Sequence, residues 1–407
     1  MAENHFYIGI DIDDENAVVS YCNSTANEPE TFSMVAGSEA YLIPVAVIRK
    51  GDQWVIGSEA ETIWKNQNGT GRQNLVSGSC TEQKMILDER EYKAEELLSI
   101  YVRRLISLVM GLGKTLHPDY LVFTLEKISA KTTAVFGRIA KELKMKAENV
   151  ILLERTESFY YFAYNQKHEL WMHDICLFDF RKQKLQCSIL TRNSKTIPQV
   201  VSSTEQEYDL DAENLDESFA KTIESALEKR ICSAVYLTGD GFDGKWMKKS
   251  TSVLCRGRRA FAGKNLYAKG SCYAAMVKDG QTVWPYVYMG ANAIKVNVSL
   301  KVKNNRKAEF LSLIDAGEKW YDISREYEVI TETDPVIDLW LQFPYGRNAK
   351  IEKLELSDFP KRPLRMSRLR VGVSASSDTE VRITIKDLGF GELMKGTSKI
   401  WEYTMTL

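Results

Sequence analysis

The chain has almost no net charge, few histidines and no long apolar run. Its 407 residues include 54 Lys plus Arg against 55 Asp plus Glu, so the formal charge at pH 7 is −1. Proteins that bind nucleic acid through its phosphates usually have a clear basic excess, and disordered chains combine high net charge with few apolar residues. Because 44% of the residues are hydrophobic, we expect neither class. The length predicts a folded protein of two or three domains.

Cysteine is sparse and scattered, with seven residues and no Cys-x-x-Cys pair. This pattern is typical of reduced, buried thiols in a cytoplasmic protein. A membrane helix needs about 20 apolar residues in succession, and the sequence has no such stretch. The first residues also lead directly into an apolar strand, Phe6–Ile12, without the basic and apolar regions of a signal peptide. We therefore expect a cytoplasmic protein that does not bind membranes.

The hydrophobic pattern changes near residue 290. Up to about residue 278, apolar strands such as Tyr120–Leu125 alternate with helical stretches such as Thr132–Leu143, which is typical of an α/β domain. From about residue 291 apolar and polar residues alternate with a period of two, as in antiparallel strands. The sequence therefore predicts an α/β domain at 1–279, a linker at 280–290 and an antiparallel β-sandwich at 291–407.

Two hairpins of similar design lie in the two halves of the α/β region. The first strand ends at Asp11 and has an acidic tip, and the second ends at Asp179 and has a basic tip. Repetition of one design predicts a duplicated domain with lobes at about 1–165 and 166–279. A third strand runs into the glycine turn Gly239–Phe242.

The order of these segments resembles the actin-like ATPase superfamily, and specifically the DnaK-type seventy-kilodalton heat-shock chaperones. Asp11 resembles the start of the first phosphate loop, Asp179 the aspartate of the second, and Gly239–Phe242 the adenosine loop. Segments 149–164 and 264–275 resemble the strand-helix and the last helix of the nucleotide-binding domain. The resemblance extends through the C-terminal strands. It implies a ribonuclease-H-like duplicated α/β ATPase domain followed by an antiparallel β-sandwich.

The resemblance also implies a set of site residues. In an active member Asp11, Glu154 and Asp179 would hold magnesium and an attacking water for ATP hydrolysis, with Asp11 and Asp179 as the metal ligands. The residues at the positions of the nucleotide loops are Asp13, Asp14, Asn16, Arg181, Lys182, Lys184, Gly239, Asp240 and Gly241.

The loops depart from the family at the positions that would contact phosphate. Asp13 and Asp14 stand where the family has Gly and Thr, and residues 179–184 read Asp-Phe-Arg-Lys-Gln-Lys where it has Asp-Leu-Gly-Gly-Gly-Thr. Each carboxylate repels a phosphate charge by about 1 kcal/mol at 4 Å in water. We therefore expect the basic tip (Arg181, Lys182, Lys184) to pair with the acidic tip (Asp11, Asp13, Asp14, Glu15) across the cleft. No cofactor is then expected.

The predicted sandwich also departs from the family, in which it clamps an apolar peptide. The loop expected over the peptide, 303–307, is polar and basic. The sequence therefore predicts a nucleotide-independent protein-binding or scaffold module rather than an enzyme, with a protein or client peptide as its partner and no nucleic acid. One alternative is a divergent ATP-dependent chaperone that uses ATP and magnesium. Another is a small-molecule phosphotransferase, although the predicted β-sandwich is evidence against that function.

Overall fold

A computed structural model describes residues 5–26, 28–68, 72–113, 117–304, 307–331, 336–344, 349–363 and 365–407. Two residues of the predicted basic loop, Asn305 and Arg306, lie outside these ranges. The chain divides into two compact units. The first unit is Met1–Arg192 with Ser203–Trp284, and the second is Asn193–Ser202 with Pro285–Leu407. No pattern in the sequence indicated that the short segment Asn193–Ser202 belongs with the C-terminal strands.

The described residues of the first lobe form one large sheet, two small hairpins and five α-helices. In chain order its elements are β1 (Phe6–Ile12), β2 (Asn16–Asn23), β3 (Glu30–Thr31), β4 (Ile43–Pro44), β5 (Val47–Lys50), β6 (Gln53–Ile56), α1 (Ser58–Asn68), α2 (Leu75–Cys80), β7 (Lys84–Leu87), β8 (Arg90–Lys93), α3 (Ala94–Gly113), β9 (Tyr120–Leu125), α4 (Ala130–Glu142), β10 (Val150–Glu154) and α5 (Arg155–Tyr164). The sheet has the order β10-β9-β1-β2-β3, with β4 also paired to β2.

The second lobe repeats this sheet. Its elements are β11 (Asp174–Arg181), β12 (Lys184–Asn193), β13 (Gln199–Asp209), α6 (Leu215–Leu227), β14 (Cys232–Thr238), α7 (Lys249–Leu254), β15 (Arg259–Ala262) and α8 (Leu266–Lys278). The strands run in the order β15-β14-β11-β12-β13. In both lobes the central strand is antiparallel to the strand that follows it and parallel to its other neighbour, β9 or β14. The two sheets therefore share their strand order, and the first four strands of each order also share their directions.

Helix α8 packs tightly against α5 and β1. A Cβ atom on Gly270 would lie 2.0 Å from the carbonyl oxygen of Ser158 in α5. A Cβ atom on Gly9 in β1 would lie 2.4 Å from the carbonyl oxygen of Ala268. Backbone atoms cannot move aside as a flexible side chain can, so only glycine fits at these crossings.

We expect Gly270→Ala to destabilise the first unit by about 1–3 kcal/mol because the added methyl group overpacks the α5–α8 contact. Gly137, in the middle of α4, is the control, since a Cβ there meets nothing within 4 Å. Gly137→Ala should stabilise the helix by up to about 1 kcal/mol. Urea unfolding of both variants tests the prediction. Shifts of the same sign would contradict it.

The described residues of the second unit form two four-stranded antiparallel sheets and three shorter strands. Its C-terminal elements are β16 (Tyr286–Met289), β17 (Asn297–Asn304), β18 (Lys307–Ile314), β19 (Ser324–Thr331), β20 (Val336–Gln342), β21 (Ala349–Glu355), β22 (Ser367–Ala375), β23 (Glu380–Asp387), β24 (Gly389–Phe390), β25 (Met394–Lys395) and β26 (Ile400–Thr406). The sheets have the orders β18-β17-β20-β21 and β19-β22-β23-β26. Residues Gln199–Ser202 of β13 pair with β16.

Alternate residues of both sheets form one core. Leu300 and Leu339 from the first sheet and Val371 and Ile383 from the second belong to the same buried cluster. This is the consequence of the period-two pattern, because alternate side chains of a strand point to opposite faces.

Several elements had no counterpart in the sequence prediction. The helical stretch predicted at 132–143 corresponds to α4, but β13, β15 and the hairpins β5–β6 and β7–β8 were missed. In the described part of the chain, no helix is both long and apolar enough to span a membrane.

Candidate functional site

The tip of the β1–β2 hairpin is closed by a carboxylate. Oδ1 of Asp13 accepts the backbone N–H groups of Glu15 at 2.8 Å and Asn16 at 2.9 Å. This is the Asx-turn geometry that aspartate favours in tight turns. Because the turn donates these two N–H groups to its own side chain, it does not direct them at a bound phosphate.

Asp14 caps a helix, so the prediction that it pairs with the basic hairpin was wrong. Its Oδ1 accepts the N–H groups of Val76 and Ser77, both at 2.9 Å, in the first turn of α2. A carboxylate is favourable there because the first N–H groups of a helix have no partner within the helix. The neighbouring Glu15 forms ion pairs with Arg72 and, at 3.4 Å, with Lys182.

The β11–β12 hairpin has a two-residue turn. Lys182 and Gln183 have positive φ angles of 51° and 64°, and Arg181 pairs with Lys184 on either side of them. Two successive positive φ angles are the signature of a type I′ turn, which matches the twist of the strands.

The prediction that Lys184 faces the acidic hairpin was also wrong. Its Nζ bonds Glu207 on the neighbouring strand β13. The correct partner was hidden from the sequence because β13 was not predicted. Of the three basic residues of this tip, Arg181 and Lys182 contact the first hairpin and Lys184 does not.

The central side chain of the cleft is Arg155, which the sequence analysis missed. It is the first residue of α5 and follows β10 directly. Its Nε donates to Oδ1 of Asp11 and its Nη2 to Oδ2 of Asp13, both at 2.9 Å. The side chain is only 11% exposed. The guanidinium therefore bridges the two carboxylates that the resemblance assigned to the first phosphate loop.

Arg181 completes the network from the other lobe. Its Nε donates to Oδ1 of Asp179 at 2.8 Å, and its Nη1 lies 3.6 Å from Oδ2 of Asp13. The hydroxyl of Tyr267 in α8 donates to Oδ2 of Asp179 at 2.9 Å. The ring of Tyr267 also lies within cation–π range of both guanidinium groups, 5.6 Å from Arg155 and 5.8 Å from Arg181.

We call these six side chains the cleft network: Asp11, Asp13, Arg155, Asp179, Arg181 and Tyr267. It holds three carboxylates and two guanidinium groups, one negative charge in excess if every acid is ionised. Burial raises the pKa of Asp11, although Arg155 and Arg181 oppose this shift. Burial acts in the same direction on Asp13, but Arg155 and the turn N–H lower its pKa below the usual value. The two neighbouring carboxylates are therefore shifted in opposite directions, the pKa of Asp11 upward by burial and that of Asp13 downward by its donors.

The third predicted loop is packed against Phe180. Gly239 has a φ of 100°, and a Cβ there would lie 2.3 Å from the carbonyl oxygen of Phe180. A Cβ on Gly241 would lie 2.3 Å from the Phe180 ring. The close approach of Phe180 is thus sufficient to explain both glycines. Asp240, between them, is exposed.

The remaining candidates do not assemble into a metal site. Oε1 of Glu154 accepts the N–H of Ile128 at 3.1 Å. Asp11 and Asp179, the predicted metal ligands, each bond a guanidinium instead. Among the described ranges, no group of three or more His, Cys, Asp or Glu side chains has a geometry that could hold a metal ion. The site is arranged as a chain of ion pairs between the two hairpins and α5.

The sequence contained one signal that could have indicated Arg155. It directly follows the apolar strand Val150–Glu154 and precedes the aromatic helix, so a cation there must be either exposed or paired inside the fold. Tyr267 carried no comparable signal.

Two family models match the chain. One, described as "Family of unknown function (DUF5716) C-terminal", covers residues 28–291 and begins after the β1–β2 hairpin. The other, described as "Domain of unknown function (DUF8552)", covers residues 293–407, which form most of the second unit. No curated protein matches. Because the first model covers more than half of the 407 residues, the chain belongs to the DUF5716 family.

Proposed function

We propose that the first unit is a duplicated actin-like domain of the DnaK type and that the second is the corresponding β-sandwich. The support for duplication is the shared strand order of the β1–β2 and β11–β12 sheets, with an acidic residue at the same place in each central strand, Asp11 and Asp179. The support for the sandwich is the common core of its two antiparallel sheets.

We further propose that this protein is a nucleotide-independent scaffold that binds another protein. One observation carries the proposal: the guanidinium of Arg155 bridges Asp11 and Asp13 inside the cleft. An active ATPase of this type needs its acids free to organise magnesium and water. Here Asp11 and Asp13 are already paired with the buried Arg155, and separating a buried ion pair costs several kcal/mol. The binding of ATP would have to supply that energy before any hydrolysis.

The alternative of a divergent ATP-dependent chaperone draws on the same residues. Arg155 and Arg181 are the side chains best suited to bind phosphate, because their donors match its oxygens in pairs. In that case the carboxylates would have to rotate away when ATP enters.

Thermal unfolding with magnesium ATP separates the two functions. A ligand that binds only the folded state stabilises it by about 2.7 kcal/mol at a hundredfold excess over Kd. We expect no change in Tm at millimolar magnesium ATP and no phosphate release above that of buffer. A raised Tm together with steady phosphate release would overturn the scaffold function and favour the chaperone.

A double variant tests whether the cleft network merely blocks a cleft that could still bind ATP, or stabilises a cleft that no longer binds ATP. Asp13→Gly with Arg181→Gly removes one residue from each hairpin tip. We expect this variant to lose stability and to gain no ATP affinity. Lys184→Gly, at a residue that contacts Glu207 instead of the cleft, is the control for changing the hairpin alone. ATP binding by the double variant and not by the control would contradict the expectation.

A further inference from the structure

The outer face of the β18-β17-β20-β21 sheet exposes large apolar side chains. The inner face is buried in the core through residues such as Leu300 and Leu339. On the outer face Phe310 is 56% exposed and Ile351 is 41% exposed, and Trp340 lies between their strands. Strands of a two-sided sandwich normally carry polar residues on the outer face, so this patch is unusual for a surface that only contacts water.

The aromatic residues of this face are packed together. The rings of Phe310 and Trp340 lie edge to face, with centroids 5.3 Å apart. Nζ of Lys301 lies 5.7 Å from the centre of the Trp340 ring. The indole N–H of Trp340 is buried and has no acceptor among the described residues. The pair forms an apolar patch bordered by a cation.

The same face carries charges of both signs in one row. Leu300 is paired with Leu339, so the next outward-facing residues of β17 and β20 are Lys301 and Asp338. Asp338 is in turn paired with Lys353 on β21. In the part of the chain that the structure describes, no ion pair within 4 Å involves Lys301, Asp338 or Lys353. These charges are available to a partner.

We propose that this face is the interface of a homodimer. In this dimer the outer faces of two copies pack on each other around a two-fold axis that runs parallel to the strands, midway between β17 and β20. The rotation places β17 of one copy over β20 of the other. It therefore sets Lys301 opposite Asp338 of a second copy, and Asp338 opposite Lys301 of that copy. It also brings Phe310 of one copy against β21 of the other, at the level of Lys353 and two residues from Ile351. A surface that complements itself under a two-fold axis is what a symmetric dimer requires.

The dimer does not depend on the proposed scaffold function. The interface lies in the second unit, and none of its residues belongs to the cleft network. Because a small interface binds weakly, we expect a reversible dimer that dissociates on dilution.

Sedimentation velocity of the full chain between about 5 and about 200 µM tests the wild type and two charge variants. We expect a concentration-dependent dimer for the wild type. Lys301→Asp places two acids opposite each other at both symmetry-related contacts, and Asp338→Lys places two lysines there. Each variant alone should therefore be monomeric. An equal mixture should form heterodimers, because each contact then joins opposite charges again.

Two controls keep the result interpretable. Circular dichroism verifies that each variant is folded. Lys386→Asp makes the same change of charge on the other sheet, at an exposed residue of β23, and should leave the dimer intact. A wild type that is monomeric at every concentration would overturn the proposal. So would a dimer that both charge variants retain, or a mixture of the two that stays monomeric.

Discussion

Replacing Arg155 by methionine is expected to lower the unfolding free energy of the first unit by about 3–5 kcal/mol. Methionine preserves much of the side-chain volume but leaves Asp11 and Asp13 without the guanidinium that bridges them. Asp11 is 3% exposed, so water cannot replace the lost donor. The remaining cation, Arg181, lies 4.0 Å from Asp11 and 3.6 Å from Asp13, too far to form the lost hydrogen bonds.

Arg138→Met is the matched control for this prediction. Arg138 also binds a carboxylate through two nitrogens, that of Glu95, but its side chain is 53% exposed. An exposed pair contributes about 0–1 kcal/mol. Hydrogen exchange of peptides that cover β1 and α5 measures the loss locally, because a chain with two units need not unfold in one step. Equal losses for the two variants would mean that burial of the Arg155 pair has no energetic consequence.

A second large effect is expected in the other unit, where Asp387→Ala should cost about 3–5 kcal/mol. Asp387 accepts both Nη atoms of Arg362, at 2.7 and 2.6 Å. It also accepts the N–H of Gly389 and the N–H and hydroxyl of Thr397. One carboxylate thus joins the ends of the β24–β25 hairpin to the segment that contains Arg362. Alanine leaves a buried guanidinium without its partner.

The control for Asp387 is Asp358→Ala, since Asp358 binds Lys399 at 3.0 Å but is 89% exposed. Its loss should stay below about 1 kcal/mol. Hydrogen exchange of β23 and the β24–β25 hairpin measures both variants. If Asp387→Ala left protection there unchanged, the carboxylate would not anchor the hairpin.

The contribution of Asp387 should also depend on pH. Burial favours a higher pKa, but Arg362 and the N–H donors overcome this and hold the pKa of Asp387 well below its ordinary value of 3.8. The folded state therefore binds the proton less tightly than the unfolded state. The stabilisation is complete above pH 3.8 and is lost progressively as the pH falls below it. The difference between wild type and Asp387→Ala should narrow in the same range.

The sequence predicted the parts of the site that lie within one hairpin. The acidic and basic tips are local features, because a strand, a tight turn and a return strand are encoded by consecutive residues. Arg181 and Lys182 contact the first hairpin as expected, but the prediction failed for two other partners far along the chain. Asp14 bonds N–H groups 62 and 63 residues away. Lys184 bonds Glu207 across β12 and β13, a pairing that required a strand the pattern did not reveal.

What the sequence alone determined is the alternation of strands and helices in the first part of the chain, without β13, β15 and the two small hairpins, and the change to alternating strands near residue 290. Both follow from the spacing of apolar residues, which fixes the side of a helix or strand that must be buried. Only the tertiary structure decided that Arg155 lies between Asp11 and Asp13, 144 and 142 residues away. The conformational preferences of neighbouring residues do not indicate which distant charged side chain will neutralise a buried charge. The parallel packing of β1, β9 and β10 brings the ends of β1 and α5 together and so selects that partner.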